Sequence, residues 1–260
     1  RMLVKAFAFD LEVLALAVAR GFRIAEIPVR VEFHGTWSSL PVKAIRSVLH
    51  DTLAVFYRLH ILRYYNSIPD LRIPDPPPRI SILIACPAET PYLRQALNGI
   101  ARQSYRSYEV ILLPDAPTGR AWPDPVREIP TGRVRPAEKR NIGIREARGD
   151  IIAFLDDDAC PVPDWLERAA GYFSIPGVVG VGGPGITPPD DPFLAQMSGQ
   201  VFASRLVSGG ARHRYEPDRV REVDDFPSCN LFVAADALRR AGGFRTDYWP
   251  GEDTLLCLDL

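Results

Sequence analysis

The chain has 260 residues, 47% hydrophobic and 24% charged, which fits one large globular domain or two small ones. A formal net charge of −1 argues against nucleic acid as the main partner. Cys86, Cys160, Cys229 and Cys257 are scattered without a C-x-x-C pair, which argues against a disulfide framework or zinc site and for reduced thiols in the cytoplasm.

Residues 1–66 come first in chain order. No apolar run reaches the roughly 18 residues of a membrane span. The most apolar one, "LVKAFAFDLEVLALAVA", is broken by Lys5, Asp10 and Glu12. The pattern predicts a helix over Asp10–Arg20, with Leu11, Leu14, Ala15 and Val18 on one face and Gly21 as its stop. "FRIAEIPVRVEF" follows as an extended segment. Pro41–Leu62 predicts an amphipathic helix whose apolar side carries Val42, Ile45, Leu49, Leu53 and Phe56. Lys43, Arg46, Arg58 and Arg63 make it basic, and residues 1–66 hold nine basic against five acidic residues, a net +4. Such a helix either packs with a solvated polar face or lies on an anionic membrane surface. The proline-rich "NSIPDLRIPDPPPR" then sets a linker at 67–78.

From residue 79 the rhythm changes. "RISILIAC" reads as a buried strand, and Thr90 caps a helix with Pro91 in its first turn and Leu93, Ala96, Leu97 and Ile100 as its inner stripe. "YEVILL" is a second strand. A helix runs from about Pro136 to Arg148, closed by Gly149, and "DIIAFL" is a third strand. Apolar strands alternating with helices predict an α/β fold: a mostly parallel central sheet with helices on both faces, preceded by the small helical and extended segment. Ligands of such sheets bind beyond the carboxyl ends of the strands, where Asp115 and Asp156–Asp158 stand.

Three adjacent carboxylates repel one another and need water or a divalent cation. If the strand conformation persists, Asp156 and Asp158 project to one side and share a ligand; a solvated acidic turn is the other reading. "DWLE" fits a capping box, with Asp164 as N-cap and Glu167 three residues on. "GVGGPG" at Gly180–Gly185 matches G-x-G-x-x-G, but "ITPPDDP" after it cannot continue a helix, so it is no dinucleotide fingerprint. Those glycines let backbone pass close to a ligand or a neighbouring strand. His34, His50, His60 and His213 lack ligand spacing, and His213 reads as a loop residue. Glu252 and Asp253 precede the apolar "TLLCLDL", and read either as charges favoured at a helix N-terminus or as a catalytic pair. The chain starts at Arg1 and stops within that helix, as expected of a piece of a longer protein.

Four segments in order carry a family resemblance: "SILIACPAETPYLRQALNGIARQSYRSYEVILLPDAP", "EKRNIGIREARGDIIAFLDDD", "SCNLFVAADALRRAGGF" and "GEDTLLCLDL". Residues 79–260 resemble a family 2 glycosyltransferase, the inverting group with a nucleotide-diphospho-sugar transferase fold. The resemblance implies a nucleotide-diphosphate-sugar donor and a divalent cation, Mg²⁺ or Mn²⁺. By its motifs, Asp115 would contact the base or ribose, Asp156 would lie near the ribose or metal, and Asp158, the last carboxylate of the D-x-D, would hold the metal on the diphosphate. Pro87, Glu89, Lys139, Arg140, Asn141 and Asp157 complete the implied donor-binding set. Asp253 would be the general base, with Glu252 beside it. Pro114 replaces an acidic residue usual in the family, "CPAET" departs from its aromatic–Asn–Glu pattern, and Arg245 and Thr246 replace the acidic residues usual after "GGF".

The chemistry fits these roles. A departing nucleoside diphosphate gains negative charge that a metal stabilises, and a weakly nucleophilic acceptor hydroxyl needs a carboxylate to take its proton. In-line inversion puts that base opposite the leaving group, so a second carboxylate cluster about 95 residues after the first is the expected arrangement. "FAFDLEVLALAVARGFRIAEIPVRVEFHGTWSSL" in turn resembles the last part of a polyprenyl-phosphate sugar synthase of the same family. This implies a tandem fusion, or a docking element at the inner face of the cell membrane, with a glycan or lipid-linked acceptor in cell-surface polysaccharide biosynthesis. Two rival classes are a metal-dependent phosphohydrolase using Asp156 and Asp158, and a non-catalytic sugar-nucleotide-binding module.

Overall fold

The computed structural model describes residues 9–19, 25, 42–61, 71–217 and 220–260. It divides into two compact units, Arg1–Asp70 and Leu71–Leu260. No described helix is long and apolar enough to cross a membrane.

The first unit holds α1 (Phe9–Ala19) and α2 (Val42–Phe56), the latter continued by a π-helical turn at Tyr57–Ile61. The inward residues agree with the periodicity at Ala15 and differ from it elsewhere, while the side chains of Val42 and Ile45 lie outside the described residues. Val55 is buried with Ala15 packed against it, and Glu12 is buried too. Leu11, Leu14 and Val18 of α1 and Leu49, Leu53 and Phe56 of α2 are instead exposed. The segment read as extended, residues 22–33, lies outside the described residues except Ala25, as do residues 66–70 of the proline-rich stretch.

In the second unit the sheet has the order β3-β2-β1-β4-β6-β5. Its strands are β1 (Ile80–Ala85), β2 (Tyr108–Leu113), β3 (Val126–Glu128), β4 (Ile151–Leu155), β5 (Gly180–Gly182) and β6 (Asn230–Ala234). β1, β2, β3 and β4 run parallel, whereas β6 is antiparallel to both β4 and β5. Both faces are covered, which is why β1, β2 and β4 are almost wholly apolar, with the buried pair Ser81 and Glu109 as the exception. Side chains alternate between the faces. Ile82, Ile84, Val110, Leu112, Ala153 and Leu155 meet α3 (Pro91–Ala101) and α5 (Trp165–Tyr172). Leu83, Ile111, Leu113, Ile152 and Phe154 meet α4 (Pro136–Glu146), α8 (Ala235–Ala241) and α9 (Glu252–Asp259). Each fully buried chain of this size stabilises the fold by about 1.5–3 kcal/mol. Between β5 and β6 run α6 (Phe193–Ala203), α7 (Arg205–Ser208) and a 3-10 helix (Gly209–Arg214), none with a buried residue.

Local chemistry agrees with the sequence at some ends and not at others. Thr90 caps α3 by accepting the Leu93 amide at 3.0 Å. Asp164 precedes α5 but forms no capping box: its carboxylate pairs with Arg168, and Glu167 accepts a hydrogen bond from Ser104 at 2.5 Å. Gly149 does not close α4, which ends at Glu146. Its lack of a side chain lets it pass β1, since a Cβ would stand 2.6 Å from the Ser81 nitrogen. The glycines of "GVGGPG" allow the expected close approach: β5 is an edge strand, and a Cβ on Gly182 would enter the Phe226 ring at 2.1 Å.

Crossing from the β1–β2–β3 side back to β4 creates a switch point between β1 and β4, so their carboxyl ends open a crevice. At the opposite rim Glu109 is buried. Its Oε1 accepts from the Ser81 hydroxyl (2.7 Å) and the Arg148 amide (2.8 Å), and its Oε2 accepts from Arg127 (3.4 Å). Burial raises this carboxyl's pKa, but the Ser81, Arg148 and Arg127 bonds together hold it below the usual value of 4.5. A depressed folded-state pKa gives stability that is complete above the unfolded value and lost as pH falls through the folded one. Glu109→Ala should lower the unfolding free energy at pH 7 by about 2–3 kcal/mol, and should flatten the loss of stability between about pH 5 and 3. Urea unfolding across that range checks both, and an acid slope unchanged by the substitution would contradict the assignment.

Candidate active site

Four stretches converge on the crevice: residues 86–89 after β1, 114–115 after β2, 156–158 after β4, and 225–229 before β6, which runs the other way. Asp115 lies two residues beyond the end of β2, at the rim the sequence indicates. Its amide donates to Pro87 O at 3.1 Å, which ties the first two stretches together.

Lys139 reaches up from α4 beneath them. Its Nζ lies 2.6 Å from Cys86 O, 3.1 Å from Leu113 O and 2.5 Å from Asp115 Oδ1, with only 6% of the side chain exposed. These acceptors occupy all three of its N–H donors. Lys139 therefore holds Asp115 in place from below and does not present a free cation to the crevice. Arg133, almost fully exposed, stands 3.9 Å from the other side of Asp115. Glu89 is bracketed by Arg94 (2.7 Å) and Arg120 (2.6 Å), and Pro87 is exposed at the rim.

The strand conformation does not persist through the aspartates. β4 stops at Leu155, and Ala159 N donates back to Asp156 O at 3.2 Å, so Asp156–Asp158 form a turn. Asp156 and Asp157 are half-buried and Asp158 is exposed. Burial pushes the Asp156 carboxyl above the usual range, with Asp158 and Asp253 adding to the shift and Arg140 opposing it. Burial, then the charge of Asp158, does the same to Asp157. Among the described residues no group of three or more His, Cys, Asp or Glu side chains is arranged to hold a metal ion.

Arg140, one residue after Lys139, joins the two carboxylate clusters. Its Nη2 lies 3.1 Å from Asp156 Oδ1 and its Nη1 3.4 Å from Glu252 Oε1, with 9% of the side chain exposed. The guanidinium packs over the Phe244 ring, 5.5 Å from its centroid. Asn141, expected among the donor contacts, is used differently. Its Oδ1 accepts from Phe244 N and its Nδ2 donates to Phe244 O, both at 2.8 Å. The amide thus fixes the loop that carries Phe244.

Glu252 and Asp253 open α9, as the sequence indicates. Glu252 is buried, and its Oε2 accepts from Gly251 N at 3.2 Å. Asp253 is half-buried, with Oδ1 accepting from Thr254 N (3.0 Å) and Oδ2 from Ser228 N (3.2 Å). Sequence reasoning missed the group behind it. Asp225 takes Arg214 on both oxygens and the Thr254 hydroxyl at 2.6 Å. Burial works against ionisation of Asp225, but the Arg214 and Thr254 bonds outweigh it and its pKa is lowered. Nothing in the irregular stretch around Arg214 and Asp225 signals that they pair.

A parallel half-sheet with acidic residues along its carboxyl rim, extended by the antiparallel pair β6 and β5, is the fold of nucleotide-sugar transferases. The mannosyltransferase PcManGT from Pyrobaculum calidifontis, solved in complex with GDP-Man and Mn²⁺, shares it with a TM-score of 0.50 at 20% identity, over 81% of this chain and 60% of that one. Residues 81–233, more than half of the chain, match the model of glycosyl transferase family 2, and the chain belongs to that family. Glycosyltransferase AglE of Haloferax volcanii is 28% identical over 189 residues, covering 68% of this chain and 59% of that protein. The pre-mycofactocin glycosyltransferase of Mycobacterium tuberculosis is 32% identical over 122 residues, 47% of this chain and 25% of its own length. The chain thus spans less than two thirds of these relatives. Family membership replaces the phosphohydrolase reading.

Lys139→Met keeps the apolar stem and removes the ammonium, leaving Asp115 and two carbonyls without their donor. Urea unfolding should show a loss of about 2–4 kcal/mol. A loss below about 0.5 kcal/mol would mean that Lys139 does not hold Asp115.

Proposed function

We propose that the protein transfers a sugar, with inversion, from a nucleotide-diphosphate sugar to a hydroxyl of a glycan or lipid-linked acceptor. The observation that carries this is Arg140. Within a family 2 chain, it brings the acidic turn after β4 and the acidic start of α9 to one end of the sheet.

In this reading the donor lies in the crevice between β1 and β4. Asp115, held by Lys139, receives the ribose or base, and Asp156–Asp158 face the diphosphate. A divalent cation suits this turn. Two carboxyls raised by burial and by neighbouring charge are what a dication relieves. Mg²⁺ and Mn²⁺ take hard oxygen donors, and Mg²⁺ typically uses one or two carboxylates and completes its shell with water and phosphate. Asp158 and Asp156 would hold it, and bound there it would neutralise charge on the diphosphate. Asp253 accepts the proton of the acceptor hydroxyl as that oxygen bonds to the sugar carbon. The carbon–oxygen bond to the diphosphate breaks, and its electron pair leaves with the nucleotide. Each Asp253 oxygen accepts one backbone amide and keeps a lone pair for this task.

The first unit fits peripheral contact with an anionic membrane surface at the cytoplasmic side. Leu49, Leu53, Phe56 and Ile61 are exposed along α2 and its π turn, and Arg46 is exposed beside them. Whether it descends from an upstream transferase domain or is a docking element, this surface supports the same use.

Calorimetry with GDP-mannose and UDP-N-acetylglucosamine, with and without Mn²⁺, tests the donor assignment. Asp158→Ala should abolish the Mn²⁺-dependent part of donor affinity with the fold intact, and unchanged Mn²⁺-dependent affinity would contradict it. In the complete protein, Asp253→Asn should lower kcat by roughly 10²-fold or more with donor affinity unchanged. Transfer that survives the substitution would point to Glu252 instead.

A further inference from the structure

We propose that Arg214, Asp225 and Thr254 form a clamp that positions Asp253 and ties the segment between β5 and β6 to the start of α9. The inference rests on the reading of Asp253 as the base, and it names what aims that base.

Asp225 is nearly buried, with 10% of its side chain exposed. Arg214 grips both of its oxygens, with Nε 3.2 Å from Oδ1 and Nη2 on Oδ2. This fork is the strongest geometry open to an arginine–carboxylate pair. Oδ2 also accepts from Thr254 Oγ1 at 2.6 Å. The backbone carbonyl of Asp225 lies 3.1 Å from His213 Nε2, so the residue is held from its main chain as well.

Thr254 follows Asp253 directly, so its hydroxyl bond to Asp225 sets the rotation of the first turn of α9. The chain from Asp225 then runs three residues to Ser228, whose amide binds Asp253 Oδ2 at 3.2 Å. Cys257, one turn further along α9, has its thiol 3.7 Å from Phe226 O. The short loop 225–228 is therefore fastened to α9 at three points: Thr254 on Asp225, Cys257 on Phe226, and Asp253 on Ser228. Losing the first lets the loop swing, and the Ser228 amide with it.

The clamp has an outer end. The helices between β5 and β6 bury no residue, and beyond the edge-on contact of His213 with Phe226 little burial fixes them. Arg214 provides fixation instead, through its side chain on Asp225 and its carbonyl, which accepts from Gly185 N at 2.9 Å. Its neighbours Arg212, Tyr215 and Glu216 line a cleft of about 780 Å³ together with Thr187 and Gln200.

The test uses a pair of near-isosteric variants of the full chain. Thr254→Val removes only the hydroxyl, and Thr254→Ser returns it. Asp225→Asn keeps the shape and removes the charge. Hydrogen exchange should show the Ser228 amide exchanging about 10-fold faster or more in Thr254→Val and Asp225→Asn, and at the native rate in Thr254→Ser. Hydrolysis of GDP-mannose or UDP-N-acetylglucosamine with Mn²⁺, in which water takes the place of the acceptor hydroxyl, followed by release of the nucleoside diphosphate, should fall about 10-fold in kcat in Thr254→Val. Donor KM should be unchanged, and Thr254→Ser should recover the rate. Native exchange at Ser228 in both Thr254→Val and Asp225→Asn would overturn the clamp. Faster exchange with unchanged kcat would overturn its positioning role. If the native chain turns over neither donor, the transferase reading fails, while exchange at Ser228 still decides the clamp.

Discussion

The second unit depends on one guanidinium. Arg140 rises from α4 between Asp156 at the end of β4 and Glu252 at the start of α9, nearly out of water and stacked on Phe244. An isolated buried charge is untenable, and an ion pair out of water is tolerable only when geometry and further hydrogen bonds are good. The planar fork of arginine reaches two carboxylates at once, which a lysine ammonium does not reproduce. Removing either partner strands the rest, so this contact constrains where α9 begins relative to β4. It does so across 112 residues of chain.

Around that contact the rim is built in pairs. Lys139 fastens Asp115 and the ends of β1 and β2 from below. Asn141 fastens the backbone of Phe244, whose ring then supports Arg140. Three consecutive residues on one turn of α4 thus organise three parts of the crevice. They are positioning residues, and the groups left facing outward are carboxylates: Asp115, Asp156, Asp157, Asp158 and Asp253. These carboxylates repel a polyanion unless a dication joins them, which is why the cation belongs in the proposed chemistry, with exposed Arg133 beside Asp115 as a further positive group.

Much of this was legible in the sequence. The apolar runs at β1, β2 and β4 identified the parallel sheet, and the aspartates just past β2 and β4 located the rim. Glycines such as Gly182 read correctly as places of close approach because only backbone fits there. What was hidden were the partners of charged side chains. "EKRN" suggested direct donor contacts by its resemblance, and nothing in it signals that Lys139 and Arg140 are buried on carboxylates and that Asn141 binds backbone. "DWLE" looks like a capping box, yet Arg168 and Ser104 take its two carboxylates. Periodicity reports which face is apolar, and it placed Ala15 correctly but missed Val55 and Glu12, which turn inward in α2 and α1. The Arg214–Asp225–Thr254 group left no trace, since its members share neither a period nor a motif.

The central claim is that Arg140 couples the start of α9 to the acidic turn after β4. A double-mutant cycle between Arg140→Met and Glu252→Gln, read by urea unfolding, measures that coupling most directly. The structure predicts an interaction energy of about 1–3 kcal/mol between the two positions. Additive effects, within about 0.5 kcal/mol, would contradict it and detach the proposed base from the rest of the site.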